Sequence, residues 1–458
     1  MDRAVYNVLA QKFAAGLFDG QLPDPANRAK IYTPASRALA RRAAAEGAVL
    51  LRNAGVLPLN LSSIKTLAVI GPNSGCAPPA APAAAATPWT CDAMRGMLGG
   101  YSNLEQQADA SGDNHAHVVT VLEAAQAAAA ASGGAVAVTW AQGAAQRGYD
   151  ASGIDGAAAL AGAADAVVLV LGDGGEAVGY DASVSCGEGA DRPSLDLPGV
   201  QLALLAAVLA AGRPTVVVLV HGRPVTFGSD YGGAQVGAFG GAGGAPLDAR
   251  AGAVLAAWRP GCEGGGALWD LLSGAASPSG RLAQSWPVSV GGVRVGGLSP
   301  GYRKFSDQGG AGWTLGAPFA PNYALGHGLD YLSVSLGSSS AAVDAGAGAV
   351  NVSVTLRNAA PRAGAYVVQV YFMQHLSRYT RYQLALGGFE KVWLAAGSDT
   401  QALVQVAFAD MAYYDPAAKD MVLEAGEYTV VVCASLAACD VGGSNAHVVS
   451  IPATLHGL

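Results

Sequence analysis

One uninterrupted apolar run, AVVLVLG at residues 166–172, constrains the fold of this chain more than any other feature. A short continuous run rich in Val and Leu is typical of a strand that is buried on both faces of a sheet. Comparable runs lie at 66–71 and 214–221, and helical patterns separate them. Strands that alternate with helices predict a parallel or mostly parallel sheet with helices on both faces. We therefore predict an α/β domain over residues 34–290.

The same periodicities place the other elements of this domain. Residues 2–16 carry apolar side chains at helical spacing, and a polar linker follows them up to residue 33. We interpret residues 72–118 as irregular because they contain the low-complexity stretch APPAAPAAAATP. Helices are further predicted at 34–46, 119–131, 157–164, 198–211 and 264–272, and strands at 48–53, 135–140, 236–239 and 281–286.

The pattern changes after a glycine-rich connecting segment at 291–332. Runs with β-type composition follow one another, with turn residues and no helical period between them. This succession of short strands predicts a β-sandwich over residues 333–458. The runs that carry the prediction lie at 350–358, 365–373, 403–408 and 427–435.

Charge and hydropathy limit the partners that the chain can have. Its formal net charge is −7, and the basic residues are scattered rather than clustered. A nucleic-acid surface requires a basic stripe, so we expect no nucleic-acid partner. No apolar run reaches the roughly 20 residues that span a bilayer, so we expect no membrane partner. The first residues, MDRAVYNVLAQKF, lack the apolar centre of a signal peptide.

The six cysteines are spread widely, and no CxxC spacing indicates a metal site. Their positions allow three disulfides, Cys76–Cys91, Cys433–Cys439 and Cys186–Cys262. Two sequons for N-glycosylation begin at Asn60 and Asn351. Sequons suit a secreted protein, but they also arise often by chance.

The loop after the run at 166–172 carries the candidate catalytic acid. Open α/β sheets bind ligands at the carboxyl ends of their strands. Glu188 lies in this loop between two glycines, which let the backbone bend so that the carboxyl projects from the loop tip. Asp191 and Arg192 follow, and charge-assisted hydrogen bonds from these side chains would order the loop. The alternative for an isolated Gly-Glu-Gly is a solvated glutamate on the surface.

Three other side chains near this loop are candidates for the site. Glu176 is the nearest rival of Glu188, as a solvated charge, a ligand for substrate hydroxyls or the acid itself. Asp173, at a strand end, either contacts the substrate or stabilises a turn. His221 ends the strand at 214–221 and is either a packed core histidine or a substrate contact.

Motifs of two other enzyme classes do not fit. Residues 172–177 match GxGxxA after a strand, but the residues beyond them do not continue into the helix that a dinucleotide site requires. No GxSxG motif lies at a predicted strand-to-helix turn, so a Ser–His–Asp hydrolase is not indicated. We expect neither a cofactor nor a metal.

An ordered set of motifs resembles glycoside hydrolase family 3, of the β-glucosidase/β-xylosidase type. In the tail, VVQVYF, LGGFEKVWLAAG and MAYYD resemble the fibronectin type III-like domain of that family. Each piece alone is weak, but the ordered set is specific and covers nearly the whole chain. The preceding stretches are KFAAGLFD, ARRAAAEGAVLLRN, LAVIGPN, MLGGYS, ADAVVLVLG, GEGADR, LDLPGVQ, VVVLVHGRPV, WRPGCEGGGALWDLLSGAASPSGRLAQSWP and YALGHGLDY.

The resemblance implies an (α/β)6 sandwich at 34–290 and a fibronectin type III-like domain at 333–458. It implies a retaining, exo-acting glycosidase that releases β-linked xylose or glucose from oligosaccharides, with Glu188 as acid/base. MLGGYS and GHGLDY favour xylo-oligosaccharides. By resemblance the protein acts outside the cell or in the cell wall.

The chain departs from the family in one respect. The family's nucleophile, an Asp, lies on an N-terminal (β/α)8 barrel, and residues 1–33 resemble only a remnant of that barrel, its exit helix and a linker. We therefore expect the chain alone to be inactive or nearly so. Three interpretations stay open: a piece of a longer enzyme, a non-catalytic carbohydrate-binding or structural remnant, and a subunit that a separate barrel chain completes.

Overall fold

The computed structural model describes residues 2–20, 33–76, 91–99, 118–174, 192, 194–228, 247–288, 290, 321–379 and 381–458. The helices are α1 Asp2–Ala14, α2 Pro34–Gly47, α3 Asp92–Leu98, α4 Val121–Ala131, α5 Ile154–Ala163, α6 Gln201–Ala210, α7 Leu247–Arg250, α8 Gly264–Ser273 and α9 Phe408–Met411. The first six strands are β1 Val49–Asn53, β2 Thr66–Ile70, β3 Ala137–Ala141, β4 Ala166–Gly172, β5 Thr215–Val220 and β6 Ala253–Trp258. The others are β7 Val334–Asp344, β8 Ala349–Asn358, β9 Gly364–Gln374, β10 Ala385–Leu394, β11 Asp399–Ala407, β12 Tyr413–Asp415, β13 Asp420–Leu423, β14 Gly426–Cys433, β15 Ala446–Ile451 and β16 Leu455–His456.

A six-stranded sheet in the order β1-β6-β5-β4-β2-β3 organises the first domain. Strands β2 to β6 are parallel, and β1 pairs antiparallel with β6 at one edge. Every residue of β4 is buried. Val168 and Val170 face the layer of α2, α4 and α8, whereas Val167 and Leu169 face α5 and α6. This two-sided burial explains the continuous apolar run and confirms the predicted α/β class.

Local chemistry sets several helix starts. Thr33 caps α2 by accepting a hydrogen bond from the Ser36 amide at 3.2 Å, and Pro34 takes the first helical position. At α4, Thr120 and Glu123 form a capping box.

The Cys76–Cys91 disulfide joins the loop after β2 to the residue that precedes α3. Both this bridge and Cys433–Cys439 were predicted and are present.

Some predicted elements of this domain were wrong or missed. Residues 281–286 are not a strand; only Trp286 forms an isolated bridge, to Tyr323. The physical reason is that β1 already pairs with the outer edge of β6, so the segment instead buries Leu282 and Trp286 in the core of the first domain and hydrogen-bonds to His327 and Tyr323. Strand β6 was missed, and α3 lies inside 72–118, which we had interpreted as irregular. The strand predicted at 236–239 and the partner cysteine Cys186 of Cys262 lie outside the described residues.

The second domain is all β. One sheet has the order β10-β9-β14-β15 and faces another with the order β11-β8-β7, and a small sheet, β12-β13-β16, adjoins them. Pairing within these sheets is antiparallel. Inward residues of β8, such as Val350, Val352 and Val354, pack into the shared core, and alternate residues point outward. The predicted β-sandwich is therefore confirmed.

Polar contacts join the two domains. Arg281 pairs with Asp330 at 2.9 Å and lies over the ring of Tyr366 at 5.3 Å. Lys391 of β10 pairs with Glu46 of α2 at 2.6 Å. Among the described residues, no helix is long and apolar enough to cross a bilayer.

Candidate functional site

The carboxyl ends of four parallel strands meet at one edge of the sheet. Asn73 lies just beyond β2, Asp173 follows β4, His221 follows β5 and Arg259 follows β6. Parallel strands bring residues from distant parts of the sequence together at such an edge, which is where α/β folds bind ligands. This edge is also the origin of the loop that contains the predicted catalytic Glu188.

Asp173 is a buried carboxylate that the edge holds by charge and hydrogen bonds. Its side chain is fully buried, and Arg259 Nη2 donates to Asp173 Oδ1 at 2.5 Å. The Gly222 amide donates to the same oxygen at 3.1 Å, and Arg223 Nε lies 3.9 Å from Oδ2. Because a buried charge is tolerated only when it is paired, these groups explain how Asp173 remains inside. The Asp173 carboxylate therefore faces guanidinium groups rather than solvent.

Arg259 connects three parts of the edge. Its Nη1 donates to the Asp173 carbonyl at 3.0 Å and to the Gly96 carbonyl of α3 at 2.9 Å. One guanidinium thus fixes the start of the loop after β4 against the end of α3. The sequence prediction missed Arg259 because it missed strand β6. An arginine directly after a recognised strand would have been the available signal.

His221 is a fully buried, neutral histidine. Its Nδ1 lies 2.7 Å from the Arg223 carbonyl, so Nδ1 carries a proton and donates it. The ring packs against Trp258 and Trp286, with centroids 4.7 and 5.2 Å away. Burial, together with the nearby Arg259 and Arg223 guanidiniums, lowers the pKa of His221 to about 3. The neutral imidazole packs against two tryptophans at this edge, and a contact of His221 with substrate stays a prediction.

At the end of β4, the side-chain amide of Gln201 hydrogen-bonds to both backbone groups of Gly172, an arrangement that we call the Gln201 clasp. Gln201 of α6 donates through Nε2 to the Gly172 carbonyl at 2.7 Å, and its Oε1 accepts from the Gly172 amide at 2.9 Å. The same Nε2 donates to the Gln146 carbonyl at 2.8 Å, and Gln146 in turn donates to Asn73. These buried side-chain amides hydrogen-bond to backbone groups of Gly172 and Gln146, so the chain has a fixed position where β4 ends. The sequence prediction missed all three amide side chains.

The predicted site residues are only partly within the described chain. Glu188, Glu176 and Asp191 lie outside the described residues. Arg192 is described, and its buried Nε has no hydrogen-bond partner in the described part of the chain. The structure brings Asp173 and His221 together with Arg223 and Arg259; the roles proposed for Glu188 and its rivals stay predictions.

Comparison with known proteins shows which family models and relatives the chain matches. Residues 48–331 match the family model for the glycosyl hydrolase family 3 C-terminal domain, and residues 366–436 match a fibronectin type III-like domain. The chain is 28% identical over 454 residues to a β-xylosidase of Formosa agariphila, which covers 96% of this chain and 54% of that protein. It is 32% identical over 259 residues to an exo-α-(1→6)-L-arabinopyranosidase of Bifidobacterium longum, which covers 54% of this chain and 31% of that protein.

The solved structures that resemble this chain are also glycosidases. A variant of the β-glucosidase from Listeria innocua in complex with laminaribiose superposes with a TM-score of 0.76 and 26% identity, over 98% of this chain and 54% of that one. The chain thus spans about half the length of the β-xylosidase and of the β-glucosidase. Because the C-terminal family domain alone covers more than half of the residues, the chain belongs to glycosyl hydrolase family 3.

Proposed function

We propose that this chain is the acid/base half of a retaining β-glycosidase, with Glu188 as the proton donor and acceptor. The observation that carries the proposal is the family match over 48–331, which includes the motif GEGADR in the loop after β4. The start of that loop is fixed at the ligand-binding edge of the sheet by Asp173, Arg259 and the Gln201 clasp. A rigid base of this kind supports an acid that must hold its position against a sugar.

The proposed reaction needs two carboxyl groups about 5–5.5 Å apart. In the first step Glu188 gives its proton to the glycosidic oxygen while the other carboxylate attacks the anomeric carbon and the C–O bond breaks. In the second step Glu188 removes a proton from water, which attacks the same carbon and releases the sugar. The acid must be protonated near neutral pH, and burial or the partner carboxylate would raise its pKa.

We place the nucleophile on a barrel that this chain does not contain, either a domain or a separate subunit. The chain spans 54% of the β-xylosidase of Formosa agariphila, which supports a missing part of comparable size. Helix α1 has no buried residue; Tyr6 and Phe13 of this helix are 70% and 66% exposed, and Leu17, just after it, is 65% exposed. Several large apolar side chains exposed on one helix are typical of an interface, and they support α1 as the contact with the barrel.

The proposed substrates are short oligosaccharides with a terminal β-linked xylose or glucose. Two relatives support these substrates: the Formosa agariphila protein is a β-xylosidase, and a variant of the Listeria innocua β-glucosidase binds laminaribiose. Two disulfides support an oxidising location such as the cell exterior or cell wall.

The test of the incomplete site is an assay of the purified chain with nitrophenyl β-xyloside and nitrophenyl β-glucoside. We expect no turnover by the chain alone, because the carboxylate that attacks the anomeric carbon is missing. Full turnover by the chain alone would show that the nucleophile lies within these residues and would overturn the proposal.

A non-catalytic carbohydrate-binding or structural remnant is the second candidate function. The half-length match to catalytic relatives favours it as much as it favours an incomplete enzyme. Sugar binding by the chain, without turnover when a family barrel is supplied, would identify the remnant. Recovery of turnover with that barrel would identify the enzyme.

A further inference from the structure

The two sequons occupy different environments in the fold. Asn60 lies in the exposed turn between β1 and β2, and Asn351 lies within β8, the central strand of the three-stranded sheet. An N-linked glycan is large and requires open space around the asparagine amide. The environment of each amide nitrogen therefore decides which sequon the folded protein can carry in modified form.

The Asn60 side chain is held in a compact turn that leaves its nitrogen open. Ser62 Oγ donates to Asn60 Oδ1 at 2.6 Å, and the Ser63 amide donates to the Asn60 carbonyl at 3.0 Å. Asn60 Nδ2 makes no hydrogen bond within the described part of the chain, and Asn60, Ser62 and Ser63 are all exposed. The hydroxyl of the sequon serine, Ser62, thus contacts the oxygen of the Asn60 amide and leaves the nitrogen, Nδ2, accessible.

The Asn351 side chain is engaged at both ends. Its Nδ2 donates to Asp344 Oδ2 at 3.3 Å, and its Oδ1 accepts from Gln405 Nε2 at 3.3 Å. These contacts link β8 to residues of both neighbouring strands, and the side chain is half-buried. A glycan on Asn351 Nδ2 would displace the Asp344 contact and crowd the outer face of the sheet.

We propose that Asn60 is an acceptor for an N-linked oligosaccharide, in preference to Asn351. The co-substrate is an oligosaccharide carried on a lipid pyrophosphate. Asn60 Nδ2 attacks the anomeric carbon, so that a C–N bond forms while the bond from that carbon to the pyrophosphate oxygen breaks. The lipid pyrophosphate leaves with the electron pair, and a base of the transferring enzyme takes the amide proton.

The location of Asn60 is compatible with the proposed activity. Asn60 lies before Thr66, where β2 begins, and so lies at the amino edge of the parallel sheet. Asp173 and Arg259 lie at the carboxyl edge, and the five residues of β2 separate the two edges by about 17 Å. A glycan on Asn60 would extend away from the carboxyl edge, so it would leave the candidate site accessible.

The test expresses the full chain behind a secretory leader in a eukaryotic host. An amidase that releases N-glycans leaves aspartate at each modified asparagine, and peptide mass spectrometry then gives the occupancy at residues 60 and 351. Both the secreted and the retained pools are digested, so that poor secretion does not hide the result. The variant Ser62→Ala removes the sequon and keeps Asn60, whereas Ser63→Ala keeps the sequon and is the matched control.

The expected result is a several-fold higher occupancy at Asn60 than at Asn351. Ser62→Ala should abolish the modification at residue 60, and Ser63→Ala should retain it. An unmodified Asn60 in the disulfide-bonded protein would overturn the proposal. Equal occupancy at the two sequons, or a higher one at Asn351, would overturn the preference on which it rests.

Discussion

Asp173 shows how a single residue depends on its charged surroundings. Its side chain is fully buried, and the side chains of Arg259 and Arg223 are only 20% and 17% exposed. Removing one member of a buried, hydrogen-bonded ion pair leaves the other charge without compensation and out of water. The contribution of Asp173 to stability therefore includes the cost of leaving the two arginine charges unpaired when the carboxylate is removed.

We predict that Asp173→Asn lowers the free energy of unfolding by about 3–5 kcal/mol, because two largely buried arginine side chains lose their counter-charge. Urea unfolding followed by tryptophan fluorescence measures the effect. The matched control is Asp399→Asn, which breaks the exposed Arg357–Asp399 pair at 3.3 Å and should cost less than about 1 kcal/mol. Equal losses in the two variants would contradict the role assigned to Asp173.

His221 should make the fold sensitive to acid. Its pKa is about 3 when folded and near the ordinary 6.5 when unfolded, so between these values the unfolded chain binds a proton that the folded chain does not. The contribution of His221 to stability is complete above about pH 6.5 and is lost as the pH falls toward 3. The slope reaches about 1.4 kcal/mol per pH unit.

We predict that His221→Gln makes the free energy of unfolding less dependent on pH between about pH 4 and 6.5, by roughly one proton. Urea unfolding at several pH values measures this slope. Replacement of the exposed His456 controls for the loss of an imidazole as such. An unchanged slope in His221→Gln would show that the folded protein accepts the proton at this position.

At the scale of the element, Gly172 sets how closely β4 and β5 approach. Its φ is +140°, and a Cβ there would lie 1.8 Å from the Val220 carbonyl oxygen. A side chain would therefore push β4 away from its parallel neighbour and disturb the Gln201 clasp. In the sequence, the segment that carries Glu188 follows this glycine.

We predict that Gly172→Ala lowers the free energy of unfolding by about 2–4 kcal/mol, through overpacking and an unfavourable φ. Gly156→Ala is the control, because a Cβ there meets nothing within 4 Å inside α5. The control should be neutral or stabilising by up to about 1 kcal/mol, since alanine favours helix. Urea unfolding compares the two, and a loss of equal size in the control would refute the argument from strand spacing.

The sequence predicted elements well where burial was uniform. The run at 166–172 coincides with β4 because a strand covered on both faces must be apolar throughout. Strand β6 was missed because its alanine-rich sequence, AVLAAW, has little of the β-branched character that marks a strand. Residues 281–286 have apolar spacing that suits a strand, but in the structure Leu282 and Trp286 fill the core of the first domain. Composition therefore explains why β6 was missed, and tertiary packing explains why residues 281–286 are not a strand.

The site could be predicted only in part for a related reason. Asp173 and His221 stood out because they follow recognised strands. Arg259 and Gln201 act through contacts between parts of the chain that are far apart in sequence, 86 residues for Arg259 with Asp173 and 29 for Gln201 with Gly172. No local pattern marks such pairs. The family resemblance supplied the proposed role of Glu188, which periodicity alone could not.

At the scale of the whole molecule, two domains with separate cores are joined by polar contacts, and the candidate site lies at the carboxyl edge of the first sheet. The contact of Arg281 with the ring of Tyr366 and the Lys391–Glu46 pair cross the junction. The exposed apolar surface of α1 lies outside both cores. The proposal that the second catalytic carboxylate comes from a further domain or chain concerns this apolar surface.

The most direct test of the central proposal is the rate of nitrophenyl β-xyloside hydrolysis by this chain after addition of a family 3 barrel, before and after Glu188→Gln. We predict turnover only with the barrel present, and a loss of about 10²–10⁴-fold in Glu188→Gln, because general acid–base catalysis contributes that much. Glu176→Gln, in the same loop, should change the rate far less. Turnover that persists unchanged in Glu188→Gln would contradict the account.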